Sequence, residues 1–257
     1  MKLNPRAKLA FDLIAQKKLR QETLLFVAEG EKLVLEALTF GKIKFILFSK
    51  ESPIVLSAQK KGIENFRISQ KEMDKISSVE TSQGILAVCK NPSYDFDSIF
   101  NPVQSSVSLI LFPVEIQDPG NLGTMIRTVD AVNGSGMIIS RGTVEPYNPK
   151  VVRSTMGSIF RVPIVEIKEI SSFLKKLKDK GINIVGTDLN TEKTHWEVDF
   201  KKPTVLLIGN ESSGLSSEAL ELCDETIKIP IPGKAESLNA AMAASIILYE
   251  AVRQRNC

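Results

Sequence analysis

Residues 107–140 read VSLILFPVEIQDPGNLGTMIRTVDAVNGSGMIIS: an apolar run at 107–112, a turn rich in Gly and Asn, a helical pattern from Asn121, and a second apolar run at 137–139. Both runs are continuous rather than alternating, the pattern of strands in a parallel sheet covered on both faces. Gly120 and Gly123 permit tight backbone turns, and the spacing predicts that Asn121 caps the helix carrying Arg127. The alternation continues outward with a helix near Val151, strands at 182–186, 205–208 and 226–229, and a final helix opened by Ser237 as N-cap. That helix sets Leu238, Ala241, Met242, Ser245, Ile246, Tyr249 and Val252 at helical spacing. The second half of the chain is therefore predicted to be an α/β domain on a parallel sheet.

Residues 91–106, with Pro92, Pro102 and several Ser, Asn and Asp, lack periodicity and mark a linker between residues 1–90 and 107–257. Upstream, Asn4-Pro5 predicts an N-cap and first helical position for a helix reaching about Gln21. Strands at 24–28, 45–48 and 85–88, with a helix through Leu33, Leu35 and Leu38 ending near Gly41, predict a smaller N-terminal α/β domain. Charge is unevenly placed: residues 1–100 hold 16 basic and 12 acidic side chains, the remainder 17 and 18. The first twenty concentrate Lys2, Arg6, Lys8, Lys17, Lys18 and Arg20 against Asp12. Such a cluster suits a phosphate backbone, with a solvated helix face as the competing reading.

At 257 residues, 43% hydrophobic and 25% charged, the chain has the composition of an ordinary globular protein with room for two modest domains. No apolar run reaches the roughly 18–20 residues that span a bilayer, and charge interrupts the N-terminal apolar positions. A cytoplasmic protein with no membrane partner is expected. Cys89, Cys223 and Cys257 are too scattered for a disulfide framework or a CxxC metal site. The single His195, in TEKTHWEVDF, excludes a site with two His ligands and reads as packed or surface rather than catalytic. No metal site is expected.

Three stretches place Gly, Asn, Ser or ionisable residues where strands end or helices begin: DPGNLGTMIRTVDA (118–131), LLIGNESSGL (206–215) and IPIPGKAESLNAAMAAS (229–245). Backbone N–H and C=O groups exposed at such points hold ligands. The second strand ends at Gly209, where the missing side chain is expected to let a ligand approach the backbone.

In their order and spacing these stretches resemble the three motifs of the SpoU/TrmH family of RNA ribose 2′-O-methyltransferases, of the SPOUT type. The resemblance implies a deep trefoil knot in the C-terminal domain, S-adenosylmethionine as methyl donor without a metal, and a homodimer. It implies a structured RNA substrate, large-subunit rRNA in preference to tRNA, because FVAEGEKLVLEAL (26–38) looks like the opening of a ribosomal-protein-like RNA-binding domain. Asn121 and Arg127 fall on the first-motif Asn and Arg, Glu211 on the second-motif Glu, and Ser237 and Asn239 on the third-motif Ser and Asn. These five are the implied catalytic set, with Glu211 ordering the Arg127 neighbourhood or the knot loops. The family's Arg is described as the base that takes the 2′-OH proton. A guanidinium is effectively always protonated, which favours anchoring the neighbouring phosphate and stabilising the developing alkoxide.

Thr187, Gly209, Asn210, Gly214, Ile229 and Leu238 occupy the implied donor-binding positions. Ser212 and Ile231 depart from the family's usual Gly and Met. The segment KVVRSTMGSIFRVP (150–163) resembles one near the family's substrate face, adding Arg153 and Ser154 to Lys17, Lys18 and Arg20 as RNA-binding candidates. A non-catalytic RNA-binding or ribosome-assembly protein of the same fold has no need of all five catalytic positions together. A nucleotide-dependent oxidoreductase is disfavoured by the lack of GxGxxG after a strand, and the P-loop pattern is missing as well.

Overall fold

The computed structural model describes residues 3–100 and 107–256, with the side chain of Ser98 left aside. Lys2 of the basic cluster, residues 101–106 of the expected linker and Cys257 lie outside the described residues. The chain forms two compact units, one of residues 1–93 with 145–161 and one of residues 94–144 with 162–257.

The first unit opens with α1 (Pro5–Ala15), where Asn4 Oδ1 accepts the Ala7 N–H at 2.9 Å ahead of Pro5 at the first helical position. The helix stops short of the expected Gln21: Gln16 is extended (φ −118°) and α2 (Lys17–Thr23) starts afresh. Then follow β1 (Leu25–Glu29), α3 (Glu31–Phe40), β2 (Ile43–Phe48), α4 (Pro53–Lys60), β3 (Asn65–Arg67), α5 (Gln70–Ile76) and β4 (Ile85–Lys90). Helices α4 and α5 carry their own start signals, Ser52 before Pro53 and a Ser69/Glu72 capping box. The sheet order is β1-β4-β2-β3, with β4 antiparallel to both neighbours and β2 parallel to β3. Ala7, Ala10 and Leu13 of α1 bury one face against Leu25, Val27, Leu47 and Leu86 of the sheet. Each larger aliphatic side chain so buried contributes roughly 1.5–3 kcal/mol.

Glu145–Arg161 packs in this unit although its numbers fall in the second half of the chain. Arg20, 3% exposed, explains the attachment. Its Nε and Nη2 donate to Glu145 Oε1 and Oε2 at 3.0 and 2.7 Å, while Nη1 donates to the Leu13 and Ile14 carbonyls at 2.6 and 3.1 Å. Those carbonyls end α1, so one guanidinium both closes the interrupted helix and holds the distant segment. Phe26 packs against Tyr147 and Phe160, and Arg161 pairs with Glu36. Arg20, a basic candidate for RNA in the sequence, is instead buried and commits its donors in five hydrogen bonds within the first unit.

The second unit contains α6 (Phe96–Phe100), β5 (Leu109–Pro113), α7 (Pro119–Ala131) and β6 (Gly136–Ser140). After α8 (Pro149–Ser154), which belongs to the first unit, come β7 (Ile164–Ile167), α9 (Ile170–Asp179), β8 (Asn183–Thr187), β9 (Thr204–Ile208), α10 (Ser217–Glu221), β10 (Glu225–Ile227) and α11 (Ala240–Arg255). All six strands are parallel, in the order β10-β8-β9-β5-β6-β7, and β5, β6 and β9 are buried throughout. Helix α6 falls inside the expected linker because Ile99 is fully buried and Phe96 packs edge-on to Phe173, with ring centroids 5.1 Å apart. No helix among the described residues is long and apolar enough to cross a membrane.

Candidate active site

The strand order reverses between β5 and β9: the chain leaves β5 toward β6 on one side, and β9 lies on the other next to β8. In a parallel sheet, loops leaving the carboxyl ends of two such strands diverge and open a crevice for a ligand. The first motif leaves β5 and the second leaves β9. Asn210 Nδ2 donates to the Glu115 carbonyl at 2.8 Å and ties the two loops together, with Glu115 held at φ 55°.

Across this crevice the three motifs meet in one hydrogen-bonded chain. Asn239 is the N-cap of α11, its Oδ1 accepting the Ala241 and Met242 N–H groups at 3.0 and 3.2 Å. That duty fixes the amide, so Nδ2 donates to Asn121 Oδ1 at 2.9 Å. Asn121 is fixed in turn and donates through Nδ2 to Glu211 Oε1 at 2.7 Å. The polarity of the whole relay thus descends from one helix cap. Thr128 and Ser245, with hydroxyls 2.9 Å apart, join α7 to α11 behind it.

Two caps differ from the sequence reading. Asp118, not Asn121, caps α7, accepting the Asn121 N–H at 2.7 Å, and Pro119 takes the first helical position. The Asp-Pro pair in DPGNLG signals this, and Asn121 moves to the third helical position, its side chain released for the relay. Asn239 rather than Ser237 caps α11, leaving Ser237 exposed in the 230–238 segment. Glu211 orders Asn121 directly, whereas Arg127, exposed on α7, has no hydrogen bond or ion pair with any described residue. Its guanidinium is free to meet an anion.

Thr187, Gly209, Asn210, Gly214, Ile229 and Leu238 lie at or beyond the carboxyl ends of β8, β9 and β10, adjacent strands in which Gly186 pairs with Leu207 and Thr187 with Ile227. Thr187 Oγ1 donates back to the Leu207 carbonyl at 3.2 Å. Gly209 serves its own loop: a Cβ there would lie 2.3 Å from the Gly214 backbone, because Asn210 and Gly214 pair backbone to backbone. Asn210 Oδ1 then accepts Ser212 N–H and Oγ–H at 2.9 and 2.7 Å, so the serine in place of the usual glycine closes the turn. Among the described residues the amides of Gly209, Ile229, Ile231 and Leu238 donate to no protein acceptor. Three aligned strand ends with unspent backbone donors fit an adenosyl group, whose base and ribose carry acceptors.

Of the remaining candidates, Lys17 and Lys18 are exposed on α2, with Lys18 3.7 Å from Glu22. Arg153 is exposed, touching the Ser78 carbonyl at 3.5 Å, and Ser154 Oγ donates to the Lys150 carbonyl. His195, 8% exposed, starts a 3-10 turn against α11, and burial holds its imidazole below the ordinary value. Burial pushes the Cys223 thiol up to about 12, and that of Cys89 up as well, so neither presents a thiolate. Among the described residues no group of His, Cys, Asp and Glu is arranged to hold a metal.

Residues 108–249 match the SpoU rRNA Methylase family, and residues 4–87 match an MRM3-like substrate binding domain. The chain is 36% identical to the 23S rRNA (guanosine(2553)-2'-O)-methyltransferase RlmP of Bacillus subtilis, over 91% of this chain and 90% of that protein. It is 42% identical to a 23S rRNA (uridine(2479)-2'-O)-methyltransferase of Streptomyces viridochromogenes, over 68% of this chain and 62% of that protein. The crystal structure of the SpoU methyltransferase AviRb from Streptomyces viridochromogenes, in complex with the cofactor AdoMet, superimposes with a TM-score of 0.89 at 31% identity, covering 99% of both chains. With motifs, sheet order and relatives in agreement, this chain belongs to the SpoU rRNA methylase family.

Proposed function

We propose that this protein transfers a methyl group from S-adenosylmethionine to a ribose 2′-oxygen of ribosomal RNA, on the large subunit. The observation that carries the reading is the Glu211–Asn121–Asn239 relay, which joins residues 90 and 118 positions apart in sequence, on the helix that also carries the exposed Arg127. When bound, the donor would be held at the carboxyl ends of β8, β9 and β10 and would supply a sulfonium methyl group for transfer to the 2′-oxygen, the thioether of S-adenosylhomocysteine being the leaving group and the 2′ proton passing to solvent. Arg127 holds the phosphate next to the target ribose and stabilises charge on the 2′-oxygen as it develops. The relay keeps α7 and α11 from moving apart, and so fixes Arg127 against the acceptor. Thr187, Asn210, Gly214, Ile229 and Leu238 border the donor's site, with Ser237 on the loop that closes it.

Met242, Ile246 and Tyr249 form an exposed stripe on α11, 60%, 38% and 54% exposed, while Ala240, Ala241 and Ala244 are buried within the chain. A stripe of that kind supports a homodimer interface beside the site. The second unit is read as trefoil-knotted on family grounds, the first as the RNA-selecting part, and the protein as cytoplasmic. Two named relatives act on different bases of 23S rRNA, which favours large-subunit rRNA over tRNA and leaves the base to be mapped.

The test is methyl transfer to large-subunit rRNA from cells lacking the gene, followed by mapping of 2′-O-methyl positions. Arg127→Ala is expected to lower turnover by about a hundredfold or more at saturating RNA while donor affinity by calorimetry holds. Undiminished turnover refutes the role of Arg127; a wild-type protein that binds donor yet methylates no rRNA refutes the substrate.

A further inference from the structure

In the first unit a cleft of about 270 Å³ opens between the N-terminus of α3, the 78–83 loop and α8. Small-molecule sites span roughly 300–1,000 Å³, so this one is sized for a single base with its ribose rather than a length of chain. Its floor is apolar, formed by Ile14, Val27, Leu33 and Val152. Lys32 and Arg153 stand on its rim, both exposed. Lys32 has no partner among the described residues, and Arg153 spends a single long contact on Ser78. The one carboxylate of the lining, Glu29, already accepts from Ser77 Oγ, Ser78 N and Ser78 Oγ at 2.5, 2.8 and 2.5 Å.

The polar edge of the cleft is equally specific. Gly30 precedes α3 at φ +98°, and a Cβ there would lie 2.9 Å from Gln83 Oε1. Lacking a side chain to cap the helix, Gly30 leaves that task to Gln83, whose Oε1 accepts the Glu31 N–H at 2.8 Å. The amide is thereby fixed and its Nε2 remains a donor, and the exposed Thr81 lines the same cleft. An apolar slot with a fixed donor, a donor–acceptor hydroxyl and two unpaired cations matches a nucleobase on its sugar-phosphate better than any apolar ligand. The Arg20–Glu145 pair anchors the segment that supplies the α8 wall, so the slot exists before RNA arrives.

We infer that this cleft takes one unstacked nucleotide of the RNA substrate, its base over Leu33 and Val152 and its phosphates on Lys32 and Arg153. The inference rests on the RNA-methyltransferase reading above. Double-stranded RNA offers no free base, so the nucleotide belongs to a loop or bulge.

Fluorescence anisotropy with an in vitro transcript of large-subunit rRNA tests it, with donor calorimetry and thermal melting alongside. Val79→Trp, which fills the cleft without altering charge, is expected to raise the RNA Kd about tenfold with an unchanged salt slope. The double variant Lys32→Ala, Arg153→Ala is expected to raise it similarly and to flatten the slope by about one to two units. Both should keep the wild-type donor affinity and Tm. Should Val79→Trp lower the Tm, the double variant, whose side chains are exposed, decides alone. An RNA Kd within twofold of wild type overturns the cleft while leaving the methyltransferase reading intact. A wild-type protein that binds donor but not the transcript overturns both.

Discussion

Two arginines, one in each compact unit, have opposite fates. Arg20 of the first unit is 3% exposed and gives its donors to Glu145 and to the last carbonyls of α1. Arg127 of the second is exposed on α7 and gives its donors to no described residue. In sequence both are basic positions on predicted helices, and both read as meeting RNA. The difference lies in what else the fold brings near: a carboxylate 125 residues away for Arg20, and for Arg127 no hydrogen-bonding or ion-pairing partner among the described residues. A buried, paired guanidinium is structural; an exposed, unpaired one is available to a ligand.

The largest effect expected from breaking this contrast is on stability. Glu145→Ala strands a buried charge and should cost about 3–5 kcal/mol in denaturant unfolding, whereas the double replacement Arg20→Met, Glu145→Leu should cost much less. Equal losses in the two variants would show that stranding the Arg20 charge is not what makes Glu145→Ala costly. On the catalytic side, Asn121→Ala cuts the relay and should lower kcat by about tenfold to a hundredfold, with Tm and donor affinity near wild type. A lost Tm instead would make the relay a mere brace.

A smaller effect is expected at the exposed lysines. Lys17→Ala with Lys18→Ala should weaken RNA binding a few-fold and reduce the salt slope by up to about two units, without the unfolding that Arg20→Ala would bring. An unaltered slope removes α2 from the RNA surface. The smallest concerns pH. Burial lowers the His195 imidazole from its ordinary value of 6.5, so below that value the unfolded chain binds a proton that the folded chain resists. Stability therefore falls as pH drops from about 6.5 toward the lowered folded value, and is flat above it. His195→Gln should flatten this window in pH-dependent melts. The Arg253 and Gln254 side chains hold Glu250 at about 2, so its contribution is lost only at lower pH, as it falls below the ordinary 4.5.

The sequence by itself determined what depends on neighbours along the chain. Continuous apolar runs specified buried parallel strands, Asn4-Pro5 specified the start of α1, and the three Gly- and Asn-rich stretches specified where strands hand over to helices. Asp118 as the cap of α7 and the Ser69/Glu72 box of α5 are equally local signals, the first masked by the neighbouring Asn121, itself a good capping residue. Only the tertiary structure decided the rest. That β9 lies beside β5, bringing Glu211 to Asn121 and Asn121 to Asn239, depends on strand order, which no local pattern encodes. The burial of Arg20 and the membership of residues 145–161 in the first unit likewise follow from long-range contacts, the Arg20–Glu145 and Arg161–Glu36 pairs and the packing of Phe26 on Tyr147 and Phe160. A side chain's charge is written in its type, but whether that charge is spent or free is settled by partners that only folding brings within reach.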